Sequence, residues 1–324
     1  MGAEVRSIGA YIPERRMAND ELAEFVDTSD EWIRSHSGIG FRHVAAEDQA
    51  ASDLGLVAAQ LAVERAEIDP ADIDMVLCAT VSGDHVGFPS TACLIQDQLG
   101  AKNAAAMDLL VGCTGFVYGL ETAKGLIASG SAKHVVLIGS EVLTRIVDWT
   151  DRDTCVLFGD GAGAALIAEC QNGSGVLDSY LRSDGSGAKA LARKSGGTRT
   201  PFQDGHAAET YIQMEGRAVY NFAVRVIVDT IQIILDRNQV TIDQIKYIVP
   251  HQANVRIIEA AAKRGGFPID KFFLNIEEYA NTSAASIPIA LNKLYEMDCL
   301  EKGDLLVTVG FGAGLTFGGN LLRW

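Results

Sequence analysis

Two stretches of this chain repeat one spacing, and that repetition constrains the fold more than any other feature. Asp74–Thr80 (DMVLCAT), Ala104–Leu109 (AAAMDL) and His134–Gly139 (HVVLIG) are short apolar runs with the length of buried strands. Ile245–Val249, Phe272–Ile276 and Asp304–Val309 form the same series in the second half. Val81, just past its strand, precedes Cys113 by 32 residues; His251, just past its own, precedes Asn281 by 30. Cys113 to Val135 spans 22 residues and Asn281 to Leu305 spans 24. Each half closes on a glycine-rich, hairpin-like element, FGDGAGAALIA at 158–168 and FGAGLTFGGNLL at 311–322. With helical stretches between the strands, the pattern predicts an α/β fold made by internal duplication. The halves are residues 1–173 and 174–324, with the boundary near Asn172–Gly175.

Ligands of α/β sheets gather beyond the carboxyl ends of the strands. Val81, Cys113, His251 and Asn281 are all predicted there, and two halves facing each other would bring the last three to a common centre. Around Cys113 the sequence DLLVGCTGF predicts a strand, a tight turn of small residues and a helix beginning at or near the cysteine. Phe116, Leu120, Ala123 and Ile127 then recur at helical spacing. Backbone N–H groups and the dipole at a helix N-terminus favour a thiolate, which predicts a thiol pKa below the ordinary value. Taken singly, each residue also has an ordinary structural role: a buried thiol for Cys113, a hydrogen-bonded core histidine for His251, a helix N-cap for Asn281. Their combination points to nucleophilic chemistry.

The remaining cysteines (78, 93, 155, 170 and 299) read as buried structural thiols. None forms a CxxC pair or stands at zinc-site spacing with a histidine, so no metal site is expected and a reducing cytoplasm is. Met1–Pro13 lacks the pattern of a signal peptide, and no run of about 18 uncharged apolar residues predicts a membrane span. Lys and Arg total 27 against 42 Asp and Glu, and the net charge of −15 speaks against nucleic-acid binding. Basic residues are nevertheless gathered on one predicted helix, Val255–Gly265. There Arg256 and Lys263 fall about 20° apart on a helical wheel, with Arg264 about 80° from Arg256. Gly159-Asp-Gly161-Ala-Gly-Ala164 fits a dinucleotide-binding pattern, but a strand rather than a helix is predicted to follow it, which excludes that use.

GCTGF around Cys113, HQANVRII at 251–258, NTSAAS at 281–286 and GFGAGLTFG at 310–318 resemble β-ketoacyl-acyl carrier protein synthase III. TSDEWI at 28–33, GFPSTACLIQ at 87–96, TDRDTCVLFGDGAGA at 150–164 and MEGRAVY at 214–220 extend the resemblance over essentially the whole chain. The resemblance implies a thiolase-like, layered αβαβα fold in two pseudo-equivalent halves, and the condensation that starts type II fatty-acid synthesis. It implies Cys113 as nucleophile and His251 with Asn281 as the pair that promotes decarboxylation of a malonyl unit. It further implies an oxyanion hole from the backbone N–H groups of Cys113 and Ala313, and a coenzyme A entrance at Trp32 and Arg152. Its carrier-protein surface would begin at Gln252, Ala253, Asn254, Val255 and Arg256, and the basic stripe adds Lys263 and Arg264. By the same resemblance the enzyme is a homodimer in which Phe88 reaches into the partner's acyl pocket. Acyl-coenzyme A, as substrate and not as a resident cofactor, and malonyl-acyl carrier protein are the implied reactants.

Two positions depart from the family pattern. His36 stands where an arginine is frequent, and Tyr220-Asn221 replaces Phe-Lys, so the grip on coenzyme A is the part in question. An amide such as Asn281 does not titrate in the working range and is no general base. That suits decarboxylation, which removes no C–H proton, and disfavours a proton-abstracting thiolase. Other readings are a chalcone-synthase-like polyketide synthase or dedicated acyltransferase, a silent scaffold for acylated carriers, and a cysteine hydrolase.

Overall fold

The apolar runs condense into two mixed sheets, one from each half of the chain. The computed structural model describes residues 2–171, 173–202 and 210–324; Asn172, named above at the boundary, lies outside the described residues. In the first half the strands of the five-stranded sheet are β1 (Gly2–Tyr11), β2 (Met75–Ala79), β3 (Ala105–Leu109), β4 (His134–Glu141) and β5 (Gly161–Cys170). They lie in the order β1-β5-β4-β2-β3. β2 is parallel to β3 and β4, while β5 runs antiparallel to both β4 and β1. The second half supplies β6 (Gly175–Ser183), β7 (Ile245–Pro250), β8 (Leu305–Gly312) and β9 (Thr316–Arg323), in the order β7-β8-β9-β6. β7 and β8 are parallel and the other pairs antiparallel. The orders match strand for strand, with β7 in the place of β2, β8 of β4, β9 of β5 and β6 of β1.

The expected strand at Phe272–Ile276 is not formed. Phe272 makes a single parallel bridge to Ile248, and the N–H of Phe273 donates to the Ile248 carbonyl. The next available N–H, that of Asn275, donates to Gln252 Oε1 instead, and the chain enters a helical turn at Ile276–Tyr279. The first glycine-rich element also differs from expectation: residues 142–160 separate β4 from β5, so it is no hairpin. Only its counterpart turns tightly, with Gly312 opposite Thr316. β1 and β6 are missing from the sequence series because charged residues (Glu4 and Arg6; Asp178 and Arg182) interrupt their apolar runs.

Among the described residues, seven helices of eight residues or more accompany the sheets: α1 (Asp30–Ser37), α2 (Ala51–Ala66), α3 (Thr91–Leu99), α4 (Gly115–Ala128), α5 (Gly216–Asn238), α6 (Val255–Gly265) and α7 (Ser286–Glu296). α2 and α3 cover the outer face of the first sheet, and α5, backed by α6, covers that of the second. α4 and α7 lie between the sheets, giving the order αβαβα. The central core joins Phe116, Leu120 and Ile127 of α4 to Ile287 and Leu291 of α7, with Leu77 and Leu306 from the two sheets. Fully burying such a side chain contributes roughly 1.5–3 kcal/mol, so the middle layer anchors whatever its helices carry. α5 is long and apolar enough to span a bilayer, but Phe222, Ile227, Ile231 and Ile234 are buried in the core over the second sheet.

Candidate active site

β3 ends at Leu109, and Gly112, at φ +58°, opens a 3-10 turn (Gly112–Thr114) that runs straight into α4. Glycine suits this left-handed backbone, and it also leaves space: a Cβ there would stand 2.9 Å from the Ala313 nitrogen. A Cβ on Gly312 would stand 2.6 Å from the Cys113 nitrogen, so the two backbone N–H groups lie on adjoining chain segments. The second half repeats the turn. Ser283, at φ +48°, opens Ser283–Ala285, which runs into α7. By this correspondence Ala284 stands in the second half where Cys113 stands in the first.

Cys113, His251 and Asn281 line one cleft of about 390 Å³. His251 leaves β7 with its N–H bonded to the Val309 carbonyl, and its Nδ1 lies 2.7 Å from Ser286 Oγ at the start of α7. Phe311 packs near-perpendicular to the imidazole, with centroids 5.3 Å apart. Asn281 follows the Ile276–Tyr279 turn rather than a strand. Its N–H donates to the Leu157 carbonyl, and its Oδ1 accepts the Ser283 N–H at 2.9 Å. That bond fixes the amide, leaving Nδ2 as a donor with no protein partner among the described residues. Asn281 is not the N-cap it could have been: Thr282 holds that position before the Ser283–Ala285 turn, and the Asn281 bond to Ser283 is a local one that precedes it.

Burial, not the helix terminus, governs the nucleophile. Cys113 is only 8% exposed, and burial pushes its thiol up to about 12, with the neighbouring Ser283 hydroxyl pulling the other way. The depressed value expected from the sequence is overturned: the α-helix proper begins two residues later, at Gly115, and desolvation of the thiolate outweighs its dipole. Burial likewise lowers His251 to about 3, so the imidazole is neutral at working pH.

At the cleft mouth, Trp32 of α1 stacks on His36 at 4.3 Å, and the Arg152 guanidinium lies 4.7 Å from the Trp32 ring. Tyr220 lines the same mouth, whereas Asn221 is exposed outside it. A second cavity of about 450 Å³ meets the cleft at Cys113 and is lined by Val86, Leu110, Ile146, Ile212, Ser283 and Ala313, among others. Phe88 lines neither cavity of its own chain and is 89% exposed.

Gln252 requires a correction. It is 1% exposed, with Nε2 donating to the Pro250 and Phe273 carbonyls and Oε1 accepting from Asn275, so its side chain is no part of a docking surface. Ala253 and Asn254 line the cleft; Asn254 also caps α6 and donates to the His36 carbonyl. Val255 is half-buried under Gly38. Arg256, Lys263 and Arg264 are exposed and form no ion pair among the described residues. Cys93 and Cys299 correct another expectation: both are free, but Cys93 is exposed and Cys299 partly so. The glycines of 159–164 serve close packing, since a Cβ on Gly163 would stand 2.7 Å from that of Pro288.

Two residues of the site region are not singled out by the sequence. Glu141, fully buried at the end of β4, accepts hydrogen bonds from Thr80 Oγ1, the N–H groups of Val81 and Ser82, and Ser82 Oγ. It thereby fixes the Val81–Ser82 loop beside the second cavity; burial raises its pKa. Its partners lie about 60 residues away, beyond any local signal. Arg217, exposed on the first turn of α5, lines the cleft. Its place in MEGRAVY is the signal that could have found it.

Two facing sheets of one plan, with cysteine, histidine and asparagine in a cleft between central and outer helices, define a condensing enzyme of the thiolase fold. The family described as 3-oxoacyl-[acyl-carrier-protein (ACP)] synthase III matches residues 107–185, and its C-terminal counterpart matches 235–324. Beta-ketoacyl-[acyl-carrier-protein] synthase III of Caldanaerobacter subterraneus subsp. tengcongensis is 46% identical over 100% of this chain and 98% of that protein. The Clostridium beijerinckii protein of the same name is 47% identical over 99% of each. The crystal structure of 3-oxoacyl-[acyl-carrier-protein] synthase III from Aquifex aeolicus superposes with a TM-score of 0.92 at 40% identity, covering 100% of both chains. This chain belongs to the β-ketoacyl-acyl carrier protein synthase III family.

Proposed function

We propose that this enzyme transfers the acyl group of an acyl-coenzyme A, acetyl by preference, to Cys113 and condenses it with malonyl-acyl carrier protein. The products are 3-oxoacyl-acyl carrier protein, coenzyme A and carbon dioxide. The observation that carries the reading is the convergence of Cys113, His251 and Asn281 on one cleft, with the Asn281 amide turned so that Nδ2 is its free donor.

Because burial holds the resting Cys113 as a thiol, attack on the thioester carbonyl and loss of the thiol proton occur together; the proton leaves with coenzyme A. The N–H groups of Cys113 and Ala313 receive the oxyanion, a contribution of a few kcal/mol in comparable sites. Malonyl then loses carbon dioxide, and His251 and Asn281 donate to the enolate oxygen. The enolate attacks the acyl-enzyme and expels the Cys113 thiolate, which takes up one proton from solvent to restore the resting thiol. No metal or resident cofactor enters these steps.

Trp32 and Arg152, with His36 and Arg217, receive the nucleotide end of coenzyme A. With Arg152 lying directly over Trp32, an aromatic base entering there displaces the guanidinium before it stacks. Arg256, Lys263 and Arg264 receive the carrier protein; their exposure without ion pairs supports this in a chain of net charge −15. A homodimer is part of the proposal. It is supported by the exposed apolar side chains Val86, Phe88, Met107 and Leu110 on and beside β3, an edge strand with unpaired backbone groups. Phe88 then enters the partner's acyl cavity. The division into functional halves at 1–173 and 174–324, nucleophile in one and donors in the other, and a cytoplasmic setting with free thiols complete the reading.

The test is intact-mass measurement after exposure to acetyl-coenzyme A. Wild type gains one acetyl group and Cys113→Ala gains none and does not condense, while decarboxylation of malonyl carrier persists. Condensation by Cys113→Ala at the wild-type rate overturns the assignment.

A further inference from the structure

The role given to His251 requires a proton on Nε2, the nitrogen that faces the cleft when Nδ1 is turned to Ser286. A neutral imidazole carries one proton, and which nitrogen holds it follows from the groups around the other. Nδ1 of His251 lies 2.7 Å from Ser286 Oγ, and both side chains are buried. The Ser286 oxygen also accepts a hydrogen bond, from the Gln252 N–H at 3.4 Å. Were Nδ1 to donate as well, the hydroxyl would receive two donors and its own proton would have no acceptor. A buried donor left unpaired is disfavoured. With the hydroxyl donating to Nδ1, every group is satisfied and the ring proton sits on Nε2. No carboxylate bonds to His251 among the described residues, so nothing opposes this assignment.

We infer that Ser286 is a positioning residue: by donating its hydroxyl proton to His251 Nδ1 it holds the imidazole as the Nε2–H tautomer, the form that donates into the cleft. The inference rests on the role proposed for His251. The NTSAAS segment then orients both donors, since Ser283 fixes the Asn281 amide and Ser286 fixes the imidazole. The helix that begins at Ser286 lies in the central layer, so the hydroxyl is held as firmly as the core.

The test combines ring-nitrogen NMR of uniformly ¹⁵N-histidine-labelled enzyme, assigned by loss of signals in His251→Ala, with two separate rates. Wild type is expected to show His251 protonated at Nε2 and bare at Nδ1. Ser286→Ala mixes the tautomers and slows decarboxylation of malonyl-carrier protein by roughly tenfold or more, about one hydrogen bond's worth of barrier. Labelling of Cys113 by acetyl-coenzyme A stays within about twofold, and Ser286→Thr, which keeps the hydroxyl, restores both spectrum and rate. A wild-type spectrum with the proton on Nδ1 overturns the inference even if Ser286→Ala does not fold. So does a folded Ser286→Ala whose tautomer or decarboxylation rate is unchanged. Failure of the parent reading is seen separately, as undiminished decarboxylation by His251→Ala.

Discussion

Replacing His251 with glutamine removes from the protein interior an imidazole that burial holds at about 3 against an ordinary 6.5. The unfolded chain therefore binds a proton that the folded chain refuses. Such a group leaves stability intact above the unfolded value and erodes it as pH falls toward the folded one; stability rises with pH throughout that window. Weighing the two titrations, the cost is negligible at pH 7.5 and on the order of 1 kcal/mol at pH 5.5. Wild type should thus lose on the order of 1 kcal/mol more than His251→Gln between these values. Urea unfolding at fixed protein concentration, with both proteins at both pH values, measures the difference directly. Groups common to both chains, including the half-buried Asp108 and the buried Glu141 and Asp160, whose pKa values are raised, cancel in the comparison. Parallel losses in the two proteins would show that His251 is accessible to a proton in the folded state, and the neutral donor would have to be abandoned.

Reversing Arg256 and Lys263 to Glu should raise the KM for malonyl-carrier protein roughly three- to tenfold and flatten its salt dependence, with less effect on acyl-coenzyme A. Steady-state kinetics across ionic strength check this, and unchanged carrier kinetics return α6 to an ordinary solvated face. Phe88→Thr should shift kcat/KM toward longer acyl chains, by up to about 0.8 kcal/mol for each methylene newly buried. Competing acetyl and octanoyl starters, with dimer content followed in parallel, decide it; an intact dimer with unmoved preference rules out the gatekeeper role.

Cys113 and His251 were legible because each stands where a predicted strand gives way to a turn, positions that local spacing reveals. What that spacing could not convey was environment. The thiol's high pKa arises from burial, which the Ser283 hydroxyl of the other half only partly offsets, and such burial belongs to the assembled protein. Gln252 is placed on the carrier-protein surface by the family resemblance alone, whereas its amide bridges Pro250, Phe273 and Asn275 in the interior. Those same bonds consume the backbone group that would have continued a strand from Phe272. Glu141 and Ser286 act through partners far along the chain, with no trace in neighbouring residues. The duplicated plan was visible because strand spacing survives even where one copy has shed a strand.

The central placement of α4 and α7 gives the protein an uneven timetable of opening. To loosen the turns that carry Cys113 and Ser283, the two sheets must part, an event close to global unfolding. Trp32, Arg152, Arg217 and Tyr220 instead stand on α1, a short helical turn and the N-terminal end of α5, away from the middle layer; all but the half-buried Trp32 are exposed. Such a rim can breathe at a small fraction of the global free energy. Under the role proposed for this rim, a long thioester enters and its coenzyme leaves many times over while the groups proposed to perform the chemistry remain still.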